Sequence, residues 1–266
     1  MALLFSEPGR TVVRGFLGAA LLLTLWAGLG RPSPCLAAPQ PDAKAILEKV
    51  EDLHRGQTSH GLMTMDIKTA HWHRVILVEF WTRGKERTLI KVLTPEKEKG
   101  TAILRSGAEV WNYLPRVKRL VRLPTSMMSA PCLGAHFNYD DLVKESRLVK
   151  DYQVQITSGG GREGGRNLEI TCIPKPGAAV IWGKIIVTVR RADYLPLSLR
   201  YFDDAGRLVR TMTFADLTKF DNRTLPSRVI VVLAGQPEER TVLTYQEISF
   251  RHPVPDHLFS PQSLHD

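Results

Sequence analysis

The sequence is poor in the groups that carry covalent and redox chemistry. It has 3 cysteines among 266 residues. No GxSxG, HExxH or GxxxxGK[ST] motif occurs, so the chain lacks the marks of nucleophile-elbow hydrolases, helix-borne zinc peptidases and P-loop nucleotide enzymes. Acidic residues are outnumbered, 27 against 36 basic ones, which leaves a net charge of +9. After the first thirty residues no apolar run is long enough to span a bilayer. Internal repeats, low-complexity tracts and linkers are missing too, so the chain beyond its N-terminus reads as one domain.

The N-terminus reads as a secretory signal peptide. Arg10 and Arg14 form a positive n-region, Phe16–Gly30 is an apolar h-region, and Cys35-Leu36-Ala37-Ala38 offers small residues for cleavage. The alternative is an uncleaved anchor, for which the apolar run is short. Pro34 stands where a lipobox needs a small residue, which argues against lipidation of Cys35. The expected division is a signal peptide over 1–38 and a mature domain over 39–266, exported to the periplasm. Losing Glu7, Arg10, Arg14 and Arg31 lowers the net charge from +9 to +7. A basic balance often marks nucleic-acid binding. Export argues against nucleic acid and favours anionic lipid, a membrane surface or an acidic partner.

Asp42–His54 predicts an amphipathic helix, capped by Asp42 and striped by Ile46, Leu47, Val50 and Leu53. About a dozen short alternating segments follow between Leu62 and Phe250, parted by turns such as Arg83-Gly84-Lys85, Ser106-Gly107-Ala108 and Asp203-Asp204-Ala205-Gly206. This is the signature of an antiparallel sandwich or barrel with neighbouring strands paired. Such a sheet, apolar on one face, needs a cover. The covers on offer are the first helix, the Pro124–Gly134 loop and a short helix starting near Tyr139. Incomplete cover over a wide apolar face makes a cavity; complete packing is the other reading.

Several candidate motifs fail on context. Gly159-Gly160-Gly161-Arg162-Glu163-Gly164 matches GxGxxG, but a strand follows where a phosphate site needs a helix N-terminus. His71 and His73 flank Trp72 as half of a metal site, with no third ligand at a recognisable spacing. Asp140-Asp141 and Asp203-Asp204 are sequence neighbours, which do not face each other as an acid/base pair. No catalytic residue, metal ligand set or cofactor is therefore assigned. Cys132 and Cys172 are either a disulfide closing a long loop or two free thiols.

The segment Trp111–Leu142 carries most of the remaining signal. Lys118, Arg119 and Arg122 mark a basic strand, read either as a charged edge or as a contact for lipid headgroups or an acidic partner. Met127 and Met128 lie between Pro124 and Pro131, where adaptable thioethers suit varied apolar ligands. W-x-Y-L-P-x-x-K-R-x-x-R over Trp111–Arg122, followed by G-x-x-F-x-Y-D-D-L over Gly134–Leu142, resembles the periplasmic outer-membrane lipoprotein-sorting proteins. The likeness is to the LolA-like branch associated with RND-type exporters. Leu89–Pro95 with Lys99-Gly100-Thr101, Tyr194–Leu197, Leu225–Arg228 and Asp256–Leu264 extend it over nearly the whole mature chain. One departure stands out. Gly134-Ala135-His136-Phe137 occupies the place where the family usually shows Gly-Ser-Asp-Phe, so His136 brings a group that can titrate near neutrality.

The resemblance implies a strongly curved, incomplete antiparallel β-barrel of about eleven strands with covering helices, holding acyl chains on its concave face and lacking a catalytic site. The expected wall residues are Ile76, Val78, Phe80, Ile90, Val92, Trp111, Tyr113, Leu197, Leu199 and Tyr201, with Met127 and Met128 in a movable cover. The expected activity is a monomeric carrier of lipid or lipoprotein acyl chains toward the outer membrane, working with an RND-type exporter or another inner-membrane protein. A lipid-responsive sensor docking a membrane protein is the alternative.

Overall fold

Alternation of apolar and polar residues, the period of a strand with one buried face, runs through most of the chain and produces one large sheet. The computed structural model describes residues 42–144, 148–158 and 165–264. The expected signal peptide over 1–38 and the GxGxxG match at 159–164 lie outside the described residues. Helix α1 (Ala43–Asp52) comes first, capped by Asp42, whose carboxylate accepts from the Lys44 amide. Strands β1 (Thr58–Lys68), β2 (His73–Arg83), β3 (Arg87–Thr94), β4 (Ala102–Ser106), β5 (Glu109–Leu114) and β6 (Arg119–Arg122) follow. After α2 (Tyr139–Lys144) and α3 (Leu148–Asp151) come β7 (Tyr152–Ser158), β8 (Asn167–Pro174), β9 (Lys184–Arg190) and β10 (Pro196–Phe202). Strands β11 (Leu208–Phe220), β12 (Arg223–Leu233) and β13 (Gln236–Ser249) complete the sheet. Among the described residues it has 13 strands, where the alternation pattern gave about a dozen and the resemblance implied about eleven.

The strand order is β6-β5-β4-β3-β2-β1-β13-β12-β11-β10-β9-β8-β7. Consecutive strands pair except β6 and β7, and β1 also pairs antiparallel with β13. The sheet is open between β6 and β7, so the barrel is incomplete. These two edges are consecutive in the chain. The segment from Leu123 to Asp151 must therefore pass from one edge to the other.

Inward residues form the main core. Met63, Met65 and Ile67 on β1, Ile76, Val78 and Phe80 on β2, and Leu168, Ile170 and Cys172 on β8 are all buried in it. So are Ile46 and Leu47 of α1 and Cys132, Ala135 and Phe137 of the connecting segment, which places helix and segment over this face. Arg223 of β12 donates to the carbonyls of Asp52 and Leu53. A cation there satisfies orphan carbonyls at the helix end and opposes its negative dipole end, fixing α1 to the sheet.

The outer face is covered over β3–β5. Leu89, Ala102 and Leu104 pack there with Val254, Phe259 and Leu264 of the C-terminal segment, and Trp111, Tyr113 and Leu120 join them. Strands covered on both faces lose clean alternation.

Cys132 and Cys172 are free thiols, and both are buried; the disulfide reading is not realised. Burial pushes the Cys172 thiol up to about 12, and burial with the nearby Asp141 carboxylate pushes Cys132 up further. A thiol held neutral is a poor nucleophile. Native protein should leave these two cysteines unmodified by iodoacetamide at pH 8, and denaturation should expose both to alkylation. Mass spectrometry locating a Cys132–Cys172 crosslink would contradict the free-thiol arrangement.

Candidate functional site

Between the concave face and its cover lies a cavity of about 150 Å³. Ligand pockets commonly span roughly 300–1,000 Å³, so a long chain can enter only if the cover moves. Most of the wall is apolar: Met63 and Met65 of β1, Phe80 of β2, Leu199 and Tyr201 of β10, Met212 of β11 and Leu243 of β13. Cys132, Leu133, Phe137 and Leu142 close it from the covering segment, and Trp182 closes it from the turn before β9.

The cover is built around a tight fold-back. Pro131 bridges Asn138, and the Cys132 amide donates to the Phe137 carbonyl. At the tip, Leu133 and Gly134 both have positive φ, 52° and 74°. Glycine adopts that region freely and leucine does not. A side chain at Gly134 would also press on Arg74 at 3.1 Å. Asn138 and Asp141 exchange backbone-to-side-chain hydrogen bonds, Asn138 N to Asp141 Oδ2 at 2.7 Å and Asp141 N to Asn138 Oδ1 at 2.9 Å. This is a capping box that starts α2.

Polar contacts from several strands pin the cover to the sheet, among them Arg105 of β4, which donates to the Leu142 carbonyl at 2.8 Å. Arg74 of β2 donates to the Leu133 carbonyl and holds Glu98 with its other amino group. The His136 amide donates to Thr241 Oγ1 of β13 at 3.0 Å, and its Nδ1 lies 2.9 Å from the same oxygen. Arg210 of β11 clamps Asp141 with two hydrogen bonds of 2.6 and 2.5 Å. Arg210 is 2% exposed. Its guanidinium also stacks on Tyr201 at 4.2 Å and Trp182 at 4.7 Å. A paired, stacked guanidinium is the form in which a buried charge is tolerated.

Of the sequence-predicted wall, Phe80, Ile90, Leu199 and Tyr201 line the cavity. Ile76, Val78 and Val92 are buried in the core beneath it. Trp111 and Tyr113 lie on the outer face under the C-terminal segment; the inward positions of β5 are Val110 and Asn112, the latter donating to the Tyr139 hydroxyl. The assignment fails there by one residue, which reverses the face of a strand. Leu197 is displaced by a bulge between Pro196 and Ser198, and Pro196 takes the cavity position. Met127 is 46% exposed, while Met128 packs against the core.

Lys118 belongs to the turn before β6, with φ of 45°, and does not share a strand face with Arg122. Arg122 pairs with Glu109 at 2.7 Å, and Lys118 and Arg119 are exposed. His73 pairs with Asp66 at 2.8 Å and His71 sits exposed in a turn. Among the described residues no group of three metal-ligating side chains is assembled, and no helix is long and apolar enough to cross a membrane.

Sequence reasoning missed Arg210, Trp182, Arg55 and His54. Arg210 had a signal: it is a lone charge on the same inward parity as Met212. His54 stacks on Tyr245 at 4.7 Å and its Nε2 lies 2.8 Å from the Pro226 carbonyl.

Solved structures share this architecture. A domain assigned to outer membrane lipoprotein sorting from Vibrio parahaemolyticus is 22% identical, with a TM-score of 0.72 over 84% of this chain and 98% of that one. A LolA superfamily protein from Nitrosomonas europaea is 21% identical, with a TM-score of 0.68 over 83% and 98%. A DUF1329 family protein from Desulfovibrio piger is 19% identical, with a TM-score of 0.75 over 86% and 100%. The chain shares its fold with these structures, the LolA superfamily protein among them. No curated protein matches the sequence. A family model described as "Uncharacterized protein" matches residues 84–266, more than half of the chain, and the chain belongs to that family.

The buried histidines give the site a pH signature. Burial lowers the His54 pKa to about 4, against a weaker upward pull from its bond to the Pro226 carbonyl. Burial also lowers that of His136, with Glu239 opposing. In the unfolded chain both protonate near 6.5, so between pH 6.5 and 4 the unfolded state binds more protons. Stability is therefore full above pH 6.5 and is lost as pH falls, by up to about 1.4 kcal/mol per pH unit for His54, with His136 acting in the same direction. Thermal unfolding should show Tm falling across that window, and His54→Gln should flatten the fall. A Tm that stays level from pH 7 to 4.5 would count against buried neutral histidines.

Proposed function

We propose that this family member is an exported, non-catalytic carrier that holds acyl chains of lipids or lipoproteins in the cavity between its curved sheet and its cover. The observation that carries the reading is the cavity itself, apolar in most of its wall and closed by a segment that lies outside the strand ladder and is held by side-chain contacts. Burying an acyl chain is worth ~0.8 kcal/mol per methylene, on the order of 10 kcal/mol for a long one. Binding of that strength needs a release step. A cover pinned by hydrogen bonds and an ion pair can supply it, because those contacts break without disturbing the sheet.

Residues 1–38 are the leader removed on export, and residues 39–266 the working domain. The relatives with this fold include one assigned to outer membrane lipoprotein sorting, which supports transfer toward that membrane. The hairpin between β5 and β6 is the side that meets lipid headgroups. Its tip carries Arg116, Lys118 and Arg119 around Val117, which is 66% exposed. Basic residues beside an exposed apolar side chain suit an anionic membrane surface.

Protein purified from the export compartment should release lipid on extraction, and native mass spectrometry should show the corresponding added mass. Absence of lipid, together with no uptake of a fluorescent fatty acid, would sink the carrier reading. Arg210→Leu strands Asp141 under the cover and should lower stability by about 3–5 kcal/mol, the usual cost of breaking a buried pair. It should also speed exchange of bound fluorescent fatty acid, and Arg210→Leu combined with Asp141→Asn should recover part of the stability. Unchanged exchange in Arg210→Leu would remove the latch from the mechanism.

A further inference from the structure

At one end of the cavity the wall turns polar. Ser59, Thr82 and Thr88 stand side by side in register across β1, β2 and β3, all buried. Ser59 Oγ lies 2.7 Å from Thr82 Oγ1. Over this row sits Arg55, from the turn after α1, whose Nη1 donates to Thr88 Oγ1 at 3.1 Å. Arg55, Thr82 and Thr88 all line the cavity.

Arg55 is only 8% exposed, and its bond to Thr88 is its one side-chain hydrogen bond among the described residues. A guanidinium carries five N–H donors. A buried charge is costly unless it is paired. The nearby carboxylates are committed elsewhere: Glu51 binds Lys85 at 2.8 Å, and Asp141 binds Arg210. Among the described residues Arg210 thus has its counter-charge and Arg55 has no ion-pair partner. The remaining donors of Arg55 stand at the head of a wall formed by Phe80, Ile90, Met63 and Leu243.

We infer that the cavity selects single-chain amphiphiles with an anionic head, the carboxylate or phosphate pairing with Arg55 and the chain lying along the apolar wall. This rests on the carrier reading and narrows it. A neutral alcohol or ester leaves the guanidinium unpaired. A carboxylate or phosphate accepts two parallel N–H bonds in the planar geometry that arginine presents. The threonine hydroxyls beside Arg55 supply further donors to the same head.

The test displaces a neutral apolar dye, N-phenyl-1-naphthylamine, from the purified protein with dodecanoate, dodecyl phosphate and dodecanol. Both anions should displace it at concentrations at least about tenfold lower than the alcohol, the effect of one charge-assisted hydrogen bond. Tighter dodecanoate would assign the head to fatty acids; tighter dodecyl phosphate would assign it to phospholipid-type heads. Arg55→Met should bring all three to the same concentration, and Arg55→Lys should keep part of the preference. The comparison on the unsubstituted protein stands even if Arg55→Met fails to fold. Equal displacement by alcohol and anions would overturn the inference and leave the carrier reading intact. Inorganic phosphate displacing the dye as well as dodecyl phosphate would also overturn it, because the chain would then contribute nothing. No dye uptake and no displacement by any amphiphile would overturn the carrier reading itself.

Discussion

The two edges of the sheet, β6 and β7, are consecutive in the chain, and that constraint organises the molecule. Because the strands run outward from β1 to β6 and return inward from β7 to β13, closing the ring between β6 and β7 would leave the connection no work. Leaving it open forces the segment between them across the opening. Its apolar side chains then bury themselves on the concave face. Cover and gap are two consequences of one chain path. The cover is also the part of the molecule held least by sheet hydrogen bonds, which is where motion is cheapest.

The polar contacts under the cover follow from this. A segment outside the sheet ladder must satisfy its backbone groups some other way. It does so with a capping box, a tight fold-back and donors from the sheet: Arg74 to the Leu133 carbonyl and Arg210 to Asp141. Asp141 belongs to both systems, since it caps α2 and neutralises Arg210. Helix start and latch are thereby coupled. Loss of the Asp141 carboxylate weakens the cover's own fold and its attachment together, as shared partners are not additive. His136 fits the same logic. Its amide and ring both meet Thr241, so His136 anchors the segment to β13.

Much of the fold was legible in the sequence because it rests on local periodicity. The helix at Asp42, the hairpins at Gly84, Gly107 and Gly206, and the α2 start near Tyr139 are all local signals, and each is found. The cavity wall was legible only where one face of a strand is covered. On β2 and β10 alternation led to Phe80, Leu199 and Tyr201. On β5 it misled, because the C-terminal segment returns over the outer face and makes both sides apolar. That return is a contact between residues more than a hundred positions apart, and no local pattern encodes it. The bulge that swaps Pro196 for Leu197 is a similar case, since an inserted residue shifts parity without changing composition.

What remained hidden was polar. Arg55 and Arg210 look in sequence like any surface arginine, and only parity marks Arg210 as inward. Yet these two charges differentiate the cavity from a plain apolar core. Arg210 is matched inside the protein and serves closure; Arg55 has no ion-pair partner among the described residues and lines the space a ligand would fill. A fold selected only for stability gains nothing from a buried guanidinium, because an apolar residue of similar volume at such a position is often neutral or stabilising. The burial of Arg55 is therefore better explained by what it meets than by what it supports. The same reasoning bears on release. A ligand whose head completes the Arg55 pair is held by charge at one end and by apolar area along its length. Opening the cover lets water reach both, and the charge interaction weakens first because it depends most steeply on the local dielectric.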